Sequence, residues 1–261
     1  MNYSTRPNLA ILSGRFPATR FGSSVNHKAY AEKHGYTYIH ANWPTGAMNP
    51  FLNKVKYIQE YYRFFDYLFW IDDDAFFLDQ SREIDAFLDH QGVVFTACRS
   101  PTVNGIRTVL SSGQFLLRCS SLGRDLIDSV AQTDLEMVRS WWRSNPEDLG
   151  FFTNGDQDAF VFHYMTNQKF QGAMRLLPAD AFNSRFGDIL DPKQRASVFV
   201  LHFTGKRSVK WRKYRRAMKI LHLGPELLPA NELVRLRVQR TTVAGKLYRL
   251  AKRFFRVPGN K

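Results

Sequence analysis

Apolar and polar positions fall into short alternating blocks along this chain. Residues 9–13 form an apolar run of strand length, and Gly14-Arg15-Phe16-Pro17 turns out of it. A helical pattern follows from near Ser24 to His34 and stops at Gly35, and 36–40 is the next strand. Strand, helix and strand joined by short links predict a parallel α/β sheet. A second helix is expected from 51 to about 64, then a strand over 67–71, another over 92–97, and one over 109–118 that Gly113 interrupts. An internal glycine there marks a bulge or a close backbone approach to a ligand. Residues 121–145 read as helix, 154–158 as a turn opening a helix through Tyr164, and 197–203 as a late strand ending in the loop 204–207.

The strand over 67–71 runs directly into Asp72-Asp73-Asp74. In extended chain, alternate side chains share a face, so Asp72 and Asp74 point together and Asp73 is opposed. Two carboxylates so placed repel unless a cation lies between them. A hard divalent ion, Mg²⁺ or Mn²⁺, resolves that repulsion and commonly bridges to substrate phosphates. The plainer alternative is a solvated or helix-capping strand end. Parallel α/β sheets bind ligands beyond the carboxyl ends of their strands, where His202 also falls. An imidazole with two carboxylates makes an open metal site. The glycine-containing loop Gly205-Lys206-Arg207 that follows would set two cations against a diphosphate. Arg15, just after the first strand, is a candidate for the nucleotide.

Composition adds limits. The chain has 261 residues, 44% of them hydrophobic and 15% aromatic, enough for a large core. Cys98 and Cys119 form neither a disulfide framework nor a zinc pattern and read as reduced structural thiols. The net charge of +14 predicts attraction to anionic partners. After Gly224-Pro225, Val243, Leu247, Leu250, Ala251 and Phe254 recur at helical spacing among Lys246, Arg249, Lys252, Arg253 and Arg256. Such a basic amphipathic helix suits an anionic membrane surface or docks on its own domain. The division expected is a catalytic domain over 1–224 and a basic helical extension over 225–261, the segment 230–261 offering the membrane contact. No secretory signal or bilayer-spanning segment is visible, and a cytoplasmic location is expected, peripheral on a membrane's cytoplasmic face. A P-loop, a dinucleotide-binding glycine fingerprint and a nucleophile-elbow serine are all missing from the sequence. The charge alone would support a nucleic-acid- or anion-binding protein without transferase activity, but no nucleic-acid motif accompanies it, and no nucleic-acid partner is expected.

Several segments, in order, resemble one family. Trp70-Ile71-Asp72-Asp73-Asp74-Ala75 resembles the acidic segment of GT-A glycosyltransferases, and more narrowly of the galactosyl/xylosyltransferase family that holds fungal α-galactosyl- and mannosyltransferases and plant xyloglucan xylosyltransferases. Tyr30 to Tyr36, Asn53-Lys54-Val55, Ser112 to Arg118, Gly155-Asp156-Gln157 and His202-Phe203-Thr204-Gly205 are similar to its other segments, across about residues 8–207. The resemblance implies a single Rossmann-like GT-A domain with a mixed, mostly parallel sheet, and a metal-dependent transferase that retains the donor's anomeric configuration. It implies Asp72, Asp74 and His202 as metal ligands and Lys54 and Lys206 on the donor diphosphate. Gly113 and Gln114 would border the sugar, and Asp156 and Gln157 would lie near the acceptor hydroxyl or reacting carbon. Asp73 departs from the family's small residue and could replace a neighbour as ligand. The implied partners are a nucleotide-sugar donor, UDP-galactose first, and a glycan or glycolipid acceptor.

Overall fold

The computed structural model describes residues 6–18, 21–47, 49–88, 92–102, 107–145 and 149–236. Its centre is a six-stranded sheet in the order β2-β1-β3-β6-β5-β7. The strands are β1 (Leu9–Gly14), β2 (Thr37–Ala41), β3 (Tyr67–Ile71), β5 (Phe95–Cys98), β6 (Ser111–Arg118) and β7 (Met174–Leu177). The β1–β2, β1–β3 and β5–β7 pairs are parallel, and β6 runs antiparallel to both β3 and β5. The sheet is therefore mixed and mostly parallel, as expected. Every residue of β3 is buried. Pleating sends Leu68 and Trp70 into one core and Tyr67, Phe69 and Ile71 into the other. Cover on both faces explains an unbroken apolar run in place of alternation.

The first core is closed by α2 (Asn53–Tyr61), α3 (Ser121–Ala131), α4 (Leu135–Ser144) and α5 (Asp156–Thr166), the second by α1 (Ser24–His34). The single helix expected over 121–145 is two, because Asp134 accepts from the Glu136 amide and starts a new helix after the break. Trp142 enters the core, its indole N–H donating to the Gly150 carbonyl, while Trp141 is half-buried against Phe162. Cys98 and Cys119 are free, their thiols pushed up to about 12 by burial.

Two elements had not been anticipated. Strand β4 (Ala75–Phe77) leaves the acidic turn and pairs antiparallel with β8 (Val200–His202), setting Ala75 opposite His202. Helix α6 (Arg207–Ile220) then packs Tyr214 and Ala217 on Phe76 of this small sheet and on Phe203 just past it. After Gly224, Leu228 and Leu233 bury against Ala29 of α1. The residues of the expected membrane-facing helix, from 237 onward, lie outside the described residues. No helix among the described residues is long and apolar enough to cross a membrane.

Glu226 ties this last segment to α1. Its carboxylate accepts from the amides of Val25 (2.9 Å) and Asn26 (3.1 Å), where Ser23 provides no side-chain cap. Burial pushes the Glu226 carboxyl up to about 7 against the lowering effect of those two amides. The folded protein therefore holds this proton more tightly than the unfolded chain. The contribution of Glu226 to stability is greatest below its ordinary value of 4.5 and is lost as pH rises through about 7. Urea unfolding of the wild type and Glu226→Gln at pH 5 and pH 8 should show the wild type losing stability relative to the variant at the higher pH. Parallel pH trends in the two proteins would sink this expectation.

Candidate active site

The cleft opens at the carboxyl end of β3. The chain turns through Asp72 to Asp74, pinned by the Asp72 amide donating to the Gly113 carbonyl (2.8 Å) and by Ser23 Oγ donating to the Asp73 carbonyl (2.5 Å). Pairing of β4 with β8 brings His202 alongside. Asp72, Asp74 and His202 each offer a ligand atom, all within 4.8 Å of one another. Asp72 is half-buried, and Asp74 and His202 are buried.

Two observations bear on whether these three residues could hold a metal. Asp74 Oδ1 is buried and accepts no hydrogen bond, although His202 Nε2 lies 3.1 Å away. A buried carboxylate oxygen this close to an imidazole nitrogen, with no well-formed hydrogen bond between them among the described residues, leaves lone pairs that a cation would satisfy. The second is Gly113, where a Cβ would stand 2.5 Å from His202 Cε1 and 3.2 Å from Asp72 Oδ2. Only glycine leaves that approach open. The donor set, two carboxylates and an imidazole, suits Mn²⁺ or Mg²⁺. Gly113→Ala should therefore lower Mn²⁺ affinity by roughly 10- to 100-fold by crowding two ligands at once. Titration calorimetry with Mn²⁺, beside a near-native far-UV spectrum, checks it, and unchanged affinity would refute it.

Asp74 is also bonded by Lys210 from the first turn of α6. Burial alone would raise the Asp74 carboxyl, but His202 and Lys210 beside it hold it well below the usual carboxylate range. The His202 imidazole is lowered by burial and by Arg185, with Asp74 opposing. Asn183 Oδ1 lies 3.0 Å from His202 Nδ1 and accepts from Arg185 (2.6 Å), whose guanidinium also lies 2.6 Å from Nδ1, and these two side chains hold the ring from behind. Burial brings the Arg185 guanidinium down to about 10.

Lys54 from α2 organises the opposite wall. Its Nζ lies 2.9 Å from Asp156 Oδ2 and 3.1 Å from Asp72 Oδ1, and donates to the Ser112 carbonyl (2.8 Å). Burial would lower the Lys54 ammonium, but Asp156 and Asp72 hold it above its ordinary value. Burial raises the Asp156 carboxyl, against the opposing effect of Lys54. The Trp70 indole N–H donates to Asp72 Oδ1 (2.7 Å), orienting the carboxylate. At the start of α5, Asp158 accepts from the amides of Thr153 (2.9 Å) and Gly155 (3.2 Å) and fixes the turn that presents Asp156 and Gln157. Gln157 accepts from the Ser112 amide (3.3 Å) and donates to Thr108 Oγ1 (3.2 Å).

One cleft of ≈540 Å³ is lined by Arg15, Lys54, Asp72, Asp73, Asp74, Gly113, Asp156, Gln157, His202 and Gly205. Ten of the twelve candidate residues thus converge. A second recess of ≈560 Å³ shares Arg15, Asp73, Asp74 and Gly205 with it and adds Phe21 and Trp211. Gln114 and Lys206 are not among the lining residues. Gln114 pairs with Ile71 of β3, next to the register shift in the β5–β6 pair, and is fully buried, with neither side-chain amide atom partnered among the described residues. Lys206 is exposed immediately before α6. On the side of α6, the cation that bonds Asp74 is Lys210, one helical turn further on. Lys210 and Arg185 went unrecognised in the sequence. A Lys at four residues past Lys206 was visible there, but the helix that aims it was not.

The family model of the galactosyl transferase GMA12/MNN10 family matches residues 19–108, the part that carries Lys54 and the acidic turn. No curated protein matches the chain. Among solved structures, a glycosyltransferase involved in the glycosylation of the major capsid of PBCV-1 is similar at a TM-score of 0.56 and 14% identity, over 80% of this chain and 100% of that one. The glycosyltransferase GlyE of Streptococcus pneumoniae TIGR4 gives 0.47 and 14%, over 79% and 59% of the two chains. The galactosyltransferase LgtC, in complex with donor and acceptor sugar analogs, gives 0.44 and 13%, over 81% and 95%.

Proposed function

We propose that this chain, a glycosyltransferase of the GT-A fold that resembles the galactosyl transferase GMA12/MNN10 family, moves a hexose or pentose from a nucleoside-diphosphate sugar to a hydroxyl of a glycan or glycolipid. The donor we favour first is UDP-galactose. The observation that carries the reading is the convergence of Asp72, Asp74 and His202 with Lys54 and Asp156 in one cleft. Asp72, Asp74 and His202 would hold a divalent ion, Mn²⁺ or Mg²⁺, which supplies charge to stabilise the departing diphosphate.

The chain's own residues do the rest. Lys210 and Arg15 stand at the same mouth of the cleft and offer positive charge to the leaving group. Gly113 leaves room for the sugar beside the ligands. Lys54 locks Asp156 in an ion pair, so this carboxylate is a poor free nucleophile and a good positioning group for a hydroxyl. Gln157, held by Ser112 and Thr108, would set the reacting carbon. This division of labour supports departure and attack on one face of the sugar, with retention of configuration. The basic segment 230–261 would keep the enzyme at the cytoplasmic face of an anionic membrane, near lipid-linked acceptors.

A panel of nucleotide sugars with Mn²⁺ or with EDTA, reading free nucleotide, tests the proposal. Release from one donor that EDTA abolishes is expected. No release from any donor, together with no thermal shift from any nucleoside diphosphate with Mn²⁺, would overturn it.

A further inference from the structure

Behind His202, across the imidazole from Asp74, lies a separate recess of ≈370 Å³. It shares Arg185, His202 and Thr204 with the main cleft and is closed by Thr102, Phe186 and Lys213. Arg185 reaches it from the irregular segment after Ser184. Among the described residues its guanidinium donates to Asn183 Oδ1 and lies 2.6 Å from His202 Nδ1, and no described carboxylate forms an ion pair with it. Asp188 also borders the recess, but its carboxylate accepts from the Arg185 backbone amide (2.6 Å) and so closes a turn; its charge and those of Asp74 and Asp72 reach the guanidinium without a direct ion pair. Lys213 is half-buried on α6 and takes part in no ion pair among the described residues. Two cations face a cavity that opens onto the reaction cleft, and a guanidinium fork is shaped for a carboxylate or phosphate. Part-buried cations without a partner anion are costly unless a ligand supplies one.

We propose that this recess receives an anionic group of the acceptor, so that the acceptor is an acidic sugar, a uronic acid or a sugar phosphate, in place of a neutral glycan. The inference rests on the transferase reading of the main cleft and narrows its acceptor. The donor's own diphosphate belongs to the other side of His202, by Asp74, Lys210 and Arg15. The recess therefore adds a second, independent anion requirement.

The test is calorimetric or ligand-observed NMR titration of the whole protein saturated with UDP and Mn²⁺. The probes are glucose, glucuronate, glucose 6-phosphate, and the bare ions acetate and inorganic phosphate. Glucuronate or glucose 6-phosphate should bind about tenfold more tightly than glucose, as one charge-assisted contact allows, and the two arms separate carboxylate from phosphate recognition. Arg185→Ala touches His202 and risks the fold, so the deciding variant is Lys213→Glu at the rim, which should erase the preference. Equal affinity for glucose and both acids, a preference that survives Lys213→Glu, or bare ions binding as tightly as the sugar acids would each overturn the assignment. If UDP with Mn²⁺ fails to bind the wild type, the donor reading falls and this assignment with it. If UDP binds and the preference is missing, only the acceptor assignment falls.

Discussion

Changing Asp74 to asparagine is expected to lower metal-dependent nucleotide release on the order of 10³-fold while leaving the protein folded. The substitution keeps the shape of the side chain and removes its charge. Three groups depend on that charge: His202 Nε2 at 3.1 Å, Lys210, and any divalent ion between Asp72 and His202. Losing electrostatic stabilisation of a departing group costs about 10²- to 10³-fold in comparable sites, and a weakened metal adds to it. The fold should survive because Lys210 is part-exposed and can turn its ammonium to water once Asp74 no longer holds it. Mn²⁺ affinity should fall together with kcat/KM. Steady-state kinetics on the donor found in the panel, with Mn²⁺ titration of both proteins, measures this. An Asp74→Asn enzyme within about tenfold of wild type would mean that the acidic turn is structural.

How legible this site was depends on the kind of element that carries each residue. The acidic turn stood out because β3 is buried on both faces, so its apolar run ends abruptly in carboxylates with no polar positions to blur the boundary. Gly113 was legible for a similar reason, since a glycine inside a strand pattern has few causes and one of them is close approach to a ligand. His202 was readable as a strand end, but its closeness to Asp74 depends on β4 pairing with β8, a contact between segments 125 residues apart that no local pattern encodes. Gln114 lies off the cleft lining because alternate residues of a strand face opposite sides, and its neighbour Gly113 is the one that faces His202. Seven of the fourteen residues in α6 are Lys or Arg, so its narrow apolar stripe, Tyr214 and Ala217, was hidden among charges, and Lys210 with it. Arg185 sits in irregular chain where periodicity says nothing, and only the folded loop gives it a direction. Patterned elements thus disclosed the candidate ligands, and tertiary pairing supplied the cations around them.

The second large effect is on stability. Lys54→Met should cost about 3–5 kcal/mol, because it strands Asp156 in the core without a counter-charge. Both groups are buried, and the ion pair at 2.9 Å is what makes the Asp156 carboxylate tolerable there. Methionine fills much the same volume as the lysine stem, so the loss is electrostatic and not a cavity. Two further measurements identify the cause. Burial already raises the Asp156 carboxyl, and without Lys54 it should rise further. In the variant, the folded protein then binds a proton that the unfolded chain releases, so stability is best retained at low pH and lost as pH rises through the new Asp156 value. The deficit against wild type should accordingly be smaller at pH 5 than at pH 8. The double variant Lys54→Met with Asp156→Asn removes the stranded charge and should recover a large part of the loss at pH 8, though it restores no activity. Urea unfolding of the two single variants, the double variant and the wild type closes this thermodynamic cycle. A single-variant cost below about 1 kcal/mol, or a double variant less stable than Lys54→Met alone, would show that the pair is not what holds this wall of the cleft.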